Sequence, residues 1–343
     1  MGDGYKVGVL GATGAVGSTI LDVLAERQFP SAEVIPFASE RSAGKKLEWN
    51  GRELEVRALG DETIQGLDVV LSSAGGSISS EWAPRFVEAG AVVVDNTSYW
   101  RMHDDVPLVV AGVNPDAAAT HKGIVANPNC TTMVMMMALA PIHRAVGLER
   151  LVISTYQAVS GTGKAAIDAL NAECRALIAG HELPEPQIYP HQIAFNVLAH
   201  AGSFPEGDDH TDEERKLINE TRKILGDPGI KVSATCVRVP VVTGHSEAVN
   251  VETREPLEPE QARELLEAAP GVTVVDDPAA ARYPMAVDAA GKDEVYVGRI
   301  RRDAGNERAL DMWVVSDNLR KGAATNTVQL GELLIERGLL RAG

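Results

Sequence analysis

Residues 5–25 read YKVGVLGATGAVGSTILDVLA. Tyr5 to Leu10 is an apolar, β-branched run. Gly11, Gly14 and Gly17 follow at three-residue spacing, and Ile20, Leu21, Leu24 and Ala25 then recur at helical spacing. The stretch predicts a strand, a tight glycine turn and a helix. Glycines in such a turn let the backbone approach a phosphate closely, and the helix N-terminus offers N–H donors and a positive dipole end. The G-x-x-G-x-x-G spacing is a variant of the dinucleotide fingerprint. Its candidate contacts are Gly11, Thr13, Gly14, Ala15, Val16 and Gly17. A glycine-rich turn that holds no ligand is the alternative reading.

Outward from this turn, residues 33–38, 67–72 and 91–95 read as strands, with a helix over 81–90. Strands alternating with helices predict a parallel α/β sheet. The pattern changes near residue 128. Residues 131–145 (TTMVMMMALAPIHRA) form a helix apolar on most faces, hence buried. A strand over 151–161 and a helix over about 163–179 come next, and 181–210 is a long loop rich in Pro, Gly, His and Asp. Thr211 and Glu214 make a capping box for a helix with Leu217, Ile218, Thr221, Ile224 and Leu225 on one face. Strand-like runs at 231–242, 248–253, 272–276, 294–300 and 309–317 predict a mixed sheet. The expected architecture is a Rossmann-type parallel-sheet dinucleotide-binding domain over 1–128, to which a C-terminal helix within 322–343 returns. An α+β domain with a mixed sheet occupies 129–321.

Composition narrows the function. The 343 residues are 45% hydrophobic and 23% charged, an ordinary globular mix. Lys and Arg number 32 against 48 Asp and Glu, so the net charge is −16. That field repels polyphosphate backbones and argues against a nucleic-acid partner. It also requires local Arg or Lys wherever a small anion is to bind. No apolar run reaches the ~18 residues of a membrane span, and no signal peptide is recognisable, so a cytoplasmic protein is expected. Cys130, Cys174 and Cys236 are too few and too widely spaced for a disulfide framework. No C-x-x-C or H-x-x-x-H pair suggests zinc, and no metal is expected.

Residues 37–42 (FASERS) bear on the choice of dinucleotide. An acidic residue at the end of the second strand usually marks NAD. Here Ser39, Arg41 and Ser42 suit a 2′-phosphate, so NADP is expected; the alternative is that Arg41 is only a solvated loop charge. Asn127-Pro-Asn129-Cys130-Thr-Thr places Cys130 just before the buried helix, where the macrodipole favours thiolate. A buried cysteine acting as a small hydrophobe is the competing reading. Cys174 and Cys236 fall in helix and strand patterns and read as core. Arg238 and His245 lie seven residues apart, and a histidine beside Gly244 suits acid/base work near neutral pH.

Four motifs in this order, GATGAVG (11–17), NPNCTT (127–132), YQAVSGTGK (156–164) and RVPVVTGHSEA (238–248), resemble the bacterial aspartate-semialdehyde dehydrogenases across essentially the whole chain. The resemblance implies NADP- and phosphate-dependent interconversion of L-aspartate 4-semialdehyde and L-4-aspartyl phosphate. The pathway implied is lysine, methionine, threonine and diaminopimelate biosynthesis, carried out by a homodimer. Cys130 matches the nucleophile that forms a thioester, His245 the acid/base residue, and Gln157 the residue orienting the substrate. Arg238 matches the clamp on the substrate α-carboxylate, and Glu213 the partner of its amine. Arg101, Asn129 and Lys216 match the phosphate site; Ser160, Gly161 and Asn318 match contacts near the nicotinamide. The matches at Glu213, Lys216 and Arg101 compete with readings as a solvated i,i+3 ion pair and a surface loop charge. Two alternatives stay open: an N-acetyl-glutamyl-phosphate or malonyl-CoA reductase, and an NADP-sensing or structural relative without activity. Cys130, Gln157, Arg238 and His245 together argue against the last, since binding alone needs none of them.

Overall fold

The computed structural model describes residues 4–183, 185 and 188–340. Its strands are β1 (Tyr5–Leu10), β2 (Ser31–Ala38), β3 (Lys46–Trp49), β4 (Arg52–Glu55), β5 (Arg57–Ala58), β6 (Val69–Ser72), β7 (Val92–Asp95), β8 (Ile124–Ala126), β9 (Leu148–Gln157), β10 (Lys231–Arg238), β11 (His245–Thr253), β12 (Val272–Val274), β13 (Val295–Arg302) and β14 (Ala309–Ser316). Its helices are α1 (Ala15–Glu26), α2 (Gly76–Glu88), α3 (Cys130–Val146), α4 (Lys164–Ile178), α5 (Asp212–Leu225), α6 (Pro259–Glu267), α7 (Ala286–Ala289) and α8 (Thr325–Glu336). They fall into two compact units, one of residues 1–129 with 323–343 and the other of 130–322.

In the first unit a six-stranded sheet runs β5-β2-β1-β6-β7-β8, with every pairing parallel. Val7, Val9, Val69, Leu71, Val92 and Val94 are fully buried, as strands covered on both faces must be. The chain leaves β1 towards β2 on one side and returns at β6 on the other. This reversal of strand order is where such sheets bind ligands, at the carboxyl ends of the strands. Helix α8 packs on α1, β6 and β7, with Val328, Leu330 and Leu334 in the shared core. Residues 341–343 of the expected C-terminal return lie outside the described residues.

The second unit has a six-stranded mixed sheet, β10-β9-β11-β14-β13-β12, parallel at its two outer pairings and antiparallel between. Alternation along β9 sorts its faces. Leu151, Ile153, Thr155 and Gln157 are buried, while Tyr156 is exposed. Helix α3 lies against β9, β11, β13 and β14, and α5 lies against β10. Eleven of the seventeen α3 residues are buried, including Met133 to Ala140 without a break, which agrees with its all-round apolar sequence.

Several boundaries differ from the sequence expectation. β9 ends at Gln157, where residues 159–162 tighten into a 3-10 turn. β10 stops at Arg238, immediately before the Val239-Pro240 pair, because proline cannot donate to a ladder. β11 begins at His245 itself, so that histidine is a strand residue and not a loop residue. The hairpin β3–β4 and strand β8 carry no long periodic run. Within the 181–210 segment, Ile193, Ala194 and Leu198 are core residues packed on Val159, Ala166 and Leu170 of the second unit.

Candidate active site

In the first unit the glycine turn is built as its spacing requires. Gly11 has φ +81°, and a Cβ there would lie 2.5 Å from the carbonyl oxygen of Ser73, just past β6. The turns after β1 and β6 therefore touch at the point where strand order reverses. A Cβ on Gly17 would meet the Gly11 carbonyl at once. Helix α1 starts after Gly14 with no side-chain cap and no acidic residue in its first turn. Its leading N–H groups and dipole are left for an anion, which is the donor set a pyrophosphate needs. At the end of β2, Ser39 and Arg41 are exposed and Ser42 is buried, in a short 3-10 turn whose one acid is Glu40. Lys45 Nζ lies 3.5 Å from Ser42 Oγ, adding a second cation to this turn. The residues present fit a dinucleotide carrying a 2′-phosphate.

Also in the first unit, Arg101 is buried. Its Nε donates to the Asn127 carbonyl and one terminal nitrogen to the Asn96 carbonyl, both at 2.9 Å. It is not a surface loop charge. Asn129 is buried as well. Asn326 on α8 donates to Asn127 Oδ1 at 2.6 Å and to the Val109 carbonyl at 3.1 Å, and accepts from the Ala111 N–H at 3.0 Å. Asn127 and Asn326 thus brace the NPN segment. No periodicity marks either of them.

In the second unit Cys130 is the first residue of α3, partly accessible, with no acidic side chain in that first turn. Cys130 thus stands at the positive end of the α3 dipole, where a nucleophilic cysteine is well placed. A Cβ on Gly322 would lie 3.1 Å from Cys130 Cβ, so glycine there keeps room beside the sulfur.

Three strand ends bring Gln157, Arg238 and His245 to the face covered by α3 and α5. Arg238 pairs with Gln157 across β10 and β9. Ser246 pairs with Tyr156, which sets His245 beside Gln157. A Cβ on Gly161 would sit 3.2 Å from His245 Nε2 and 3.3 Å from a terminal nitrogen of Arg238, so those two groups converge on one backbone position. Arg238 also donates to the Ala158 carbonyl at 2.8 Å. The N–H of Ala158 donates to His245 Nδ1 at 3.0 Å, and His245 Nε2 is buried with no hydrogen-bond partner among the described residues. Burial, and secondly the Arg238 guanidinium, hold the imidazole well below the ordinary histidine range.

Ser160 and Asn318 bond each other through their side chains at 2.9 and 3.1 Å, and Asn318 Oδ1 accepts the Gly244 N–H at 3.0 Å. At the start of α5, Lys216 Nζ reaches Glu213 Oε2 at 3.0 Å and Asp212 Oδ2 at 2.8 Å. Glu213 is buried, so this is a half-enclosed cluster and not a solvated pair. Glu214 completes the predicted capping box with Thr211 and also accepts the Cys236 N–H at 3.0 Å.

Beneath the first row lies a second that periodicity did not reveal. Thr155, Cys236 and Glu247 pair across the same three strands, two residues deeper than Gln157, Arg238 and His245. All three are fully buried. Gln157 Nε2 donates down to Thr155 Oγ1 at 3.2 Å. Burial drives the Cys236 thiol pKa up, so Cys236 stays a neutral thiol and not a nucleophile. Among the described residues neither carboxyl oxygen of Glu247 has a hydrogen-bond partner, and burial raises its pKa well above the usual carboxylate range.

Both units resemble known proteins. Residues 6–121 match the family model described as semialdehyde dehydrogenase, NAD binding domain, and residues 139–321 match that described as semialdehyde dehydrogenase, dimerisation domain. An aspartate-semialdehyde dehydrogenase of Aquifex aeolicus is 55% identical over 340 residues, covering 98% of this chain and all of the relative. The chain belongs to the aspartate-semialdehyde dehydrogenase family. Among solved members, aspartate semialdehyde dehydrogenase II of Vibrio cholerae, complexed with ASA, superposes with TM-score 0.94 at 47% identity, covering 98% of this chain and 99% of that one. The Candida albicans enzyme, solved with NADP, gives 0.75 at 27% identity, covering 98% and 99%.

Proposed function

We propose that this chain is an NADP-dependent aspartate-semialdehyde dehydrogenase. It interconverts L-aspartate 4-semialdehyde, phosphate and NADP⁺ with L-4-aspartyl phosphate and NADPH, in lysine, methionine, threonine and diaminopimelate biosynthesis. The observation that carries the reading is the convergence of Arg238, His245 and Gln157 on the sheet face against which α3, headed by Cys130, is packed.

The dinucleotide would be held by the α1 N-terminus and Gly11, Thr13, Gly14, Ala15, Val16 and Gly17, with Ser39, Arg41 and Ser42 at its 2′-phosphate. Ser160, Gly161 and Asn318 would contact it near the nicotinamide. When bound, it supplies or accepts hydride at the substrate carbon. The chain's own residues do the rest. Cys130 Sγ adds to the aldehyde carbon, or in the biosynthetic direction displaces phosphate from the acyl phosphate, and carries the acyl group as a thioester. Arg238 holds the substrate carboxylate, for which its planar fork is suited. Glu213 takes the ammonium group. Gln157, tied to Thr155, orients the reacting carbonyl, and His245 is the acid/base residue, its Nε2 handling the proton at the substrate oxygen. Lys216, Arg101 and Asn129 receive phosphate.

The enzyme works in the cytoplasm as a homodimer. The match of residues 139–321 to the semialdehyde dehydrogenase dimerisation domain supports the homodimer, and among the described residues no helix is long and apolar enough to cross a membrane. The test is phosphate-dependent formation of NADPH from L-aspartate 4-semialdehyde by the purified chain. Reduction that proceeds equally without phosphate, or turnover of N-acetyl-glutamyl phosphate in place of the aspartyl compound, overturns the reading.

A further inference from the structure

Helix α5 opens with three acids in a row, Asp212, Glu213 and Glu214, and each is engaged differently. Glu214 accepts the N–H groups of Thr211 and Cys236. Arg215 turns away from the other two, its guanidinium bidentate on Asp208 at 2.6 and 2.7 Å. Lys216, one helical turn along, faces both Asp212 and Glu213. Its Nζ is 2.8 Å from Asp212 Oδ2 and 3.0 Å from Glu213 Oε2, so one cation serves two carboxylates.

The sharing bears on the function proposed above, in which Glu213 receives the substrate ammonium and Lys216 the phosphate. An ammonium arriving at Glu213 meets a like charge already on the same carboxyl group. The two cations repel unless Lys216 has another anion to hold it. We propose that Asp212 is that anion: a positioning residue that keeps Lys216 on its own carboxylate while Glu213 turns to the substrate ammonium. Asp212 thereby sets the affinity of the site for the amino group and leaves the affinity for phosphate alone. This rests on the function proposed above. No proton moves in the exchange. Lys216 Nζ gives up Glu213 Oε2 and keeps Asp212 Oδ2, and the ammonium takes the vacated Glu213 oxygen.

Asp212 is fixed for this task and is not a loose surface acid. Its Oδ1 accepts the Ser203 N–H at 2.6 Å, which leaves Oδ2 to face Lys216. Gly202, at φ +83°, lies so close that any Cβ there would strike Oδ1. The first turn of α5 favours the charged carboxylate, since the helix dipole stabilises an anion there. The Lys216 side chain is 23% exposed and that of Glu213 10%. The three charges therefore interact more strongly than an i,i+4 pair on an open surface, whose contribution is small.

Asp212→Asn is the test, because an amide oxygen still accepts the Ser203 N–H while the negative charge is gone. Steady-state kinetics should show KM for L-aspartate 4-semialdehyde raised at least about fivefold, kcat lowered by less than that, and KM for phosphate within about twofold of the parent. An unmoved semialdehyde KM would make Asp212 an ordinary helix-surface pair. A phosphate KM that rises as far as the semialdehyde KM would make it a general prop for the Gly202 turn. Either result overturns the proposal. The second arm is the same substitution in a Lys216→Met background, which holds no cation to be positioned. There Asp212→Asn should raise the semialdehyde KM no further; the full rise seen in the parent background would show that Asp212 does not act through Lys216, and overturns the proposal. Failure of the underlying reaction is read separately, from the parent chain's own phosphate-dependent NADPH formation, and its absence would take this proposal with it.

Discussion

Arg238 exchanges both backbone hydrogen bonds with Leu198, N–H to carbonyl at 2.8 Å in one direction and 2.9 Å in the other. The last residue of β10 is thus clamped by a segment forty residues upstream. That segment is fixed in turn by Glu173 on α4, whose buried carboxylate accepts the N–H groups of Ile193 and Ala194 at 2.8 and 2.9 Å. Glu173→Ala orphans two buried donors and should cost about 2–5 kcal/mol of stability. Because the clamp on Arg238 slackens, KM for the semialdehyde should rise more than kcat falls. Urea denaturation and steady-state kinetics check both, with Glu173→Gln, which keeps one acceptor, expected in between. Unchanged KM in a well-folded variant would show that the segment does not position Arg238.

Arg238→Leu removes the guanidinium and leaves the Ala158 carbonyl with the longer bond from the Gly161 N–H at 3.3 Å. Losing a charge-assisted bidentate contact should raise KM for the amino-acid substrate by about 10²-fold or more, with NADP binding little changed. Kinetics alongside a fluorescence titration with NADPH separate the two effects. Normal KM and kcat for the semialdehyde would remove Arg238 from the site.

The glycine turn and the place of Cys130 at a helix start were legible because they sit in local motifs, whereas Gln157 came only from the family resemblance. The strand-glycine-helix pattern of 5–25 and the apolar helix behind Cys130 need only neighbours in sequence to be read. The second row was not. Thr155, Cys236 and Glu247 look like any polar interruption of a strand, and only the register of β9, β10 and β11 brings them together. The same holds for Asn326, which braces the NPN segment from about two hundred residues away. Leu198 and Ile193 lay in a stretch whose proline, glycine and aspartate content reads as loop. Their burial comes from packing against α4, which composition does not carry.

Cys130→Ser replaces a thiolate with a hydroxyl whose pKa lies far above the working range. Turnover should fall by at least about 10³-fold, while NADP affinity is kept. Mass spectrometry of the native chain mixed with aspartyl phosphate in the absence of NADPH should show an acyl adduct on Cys130 and none on Cys236, whose thiol burial keeps protonated. Near-normal turnover of the serine variant would rule out covalent catalysis.

Arg41 and Ser39 are exposed at the end of β2, so their replacement should leave the fold intact. Arg41→Ala should raise KM for NADP by about tenfold or more and leave KM for NAD unchanged, since only the 2′-phosphate distinguishes the two. Equal changes for both dinucleotides, or none, would place Arg41 outside the cofactor contacts.

Glu247 sets how stability varies with pH. Its folded-state pKa is raised by burial above the ordinary carboxylate value of about 4.5, so the folded chain prefers the protonated acid. Below that value the group costs nothing in ionisation. As pH climbs from about 4.5 towards the raised folded pKa, the unfolded chain gives up the proton while the folded chain keeps it, and stability is lost progressively. Glu247→Gln is nearly isosteric and cannot ionise, so it removes that slope. The variant should match the parent near pH 4.5 and melt at a higher temperature at pH 8. Neither carboxyl oxygen has a hydrogen-bond partner in the described structure, so the exchange breaks no existing bond. Thermal melts of both proteins across this range check it. A variant less stable than the parent at pH 8 would mean that the ionised carboxylate is welcomed in the folded protein, and that the row beneath His245 is charged and not neutral.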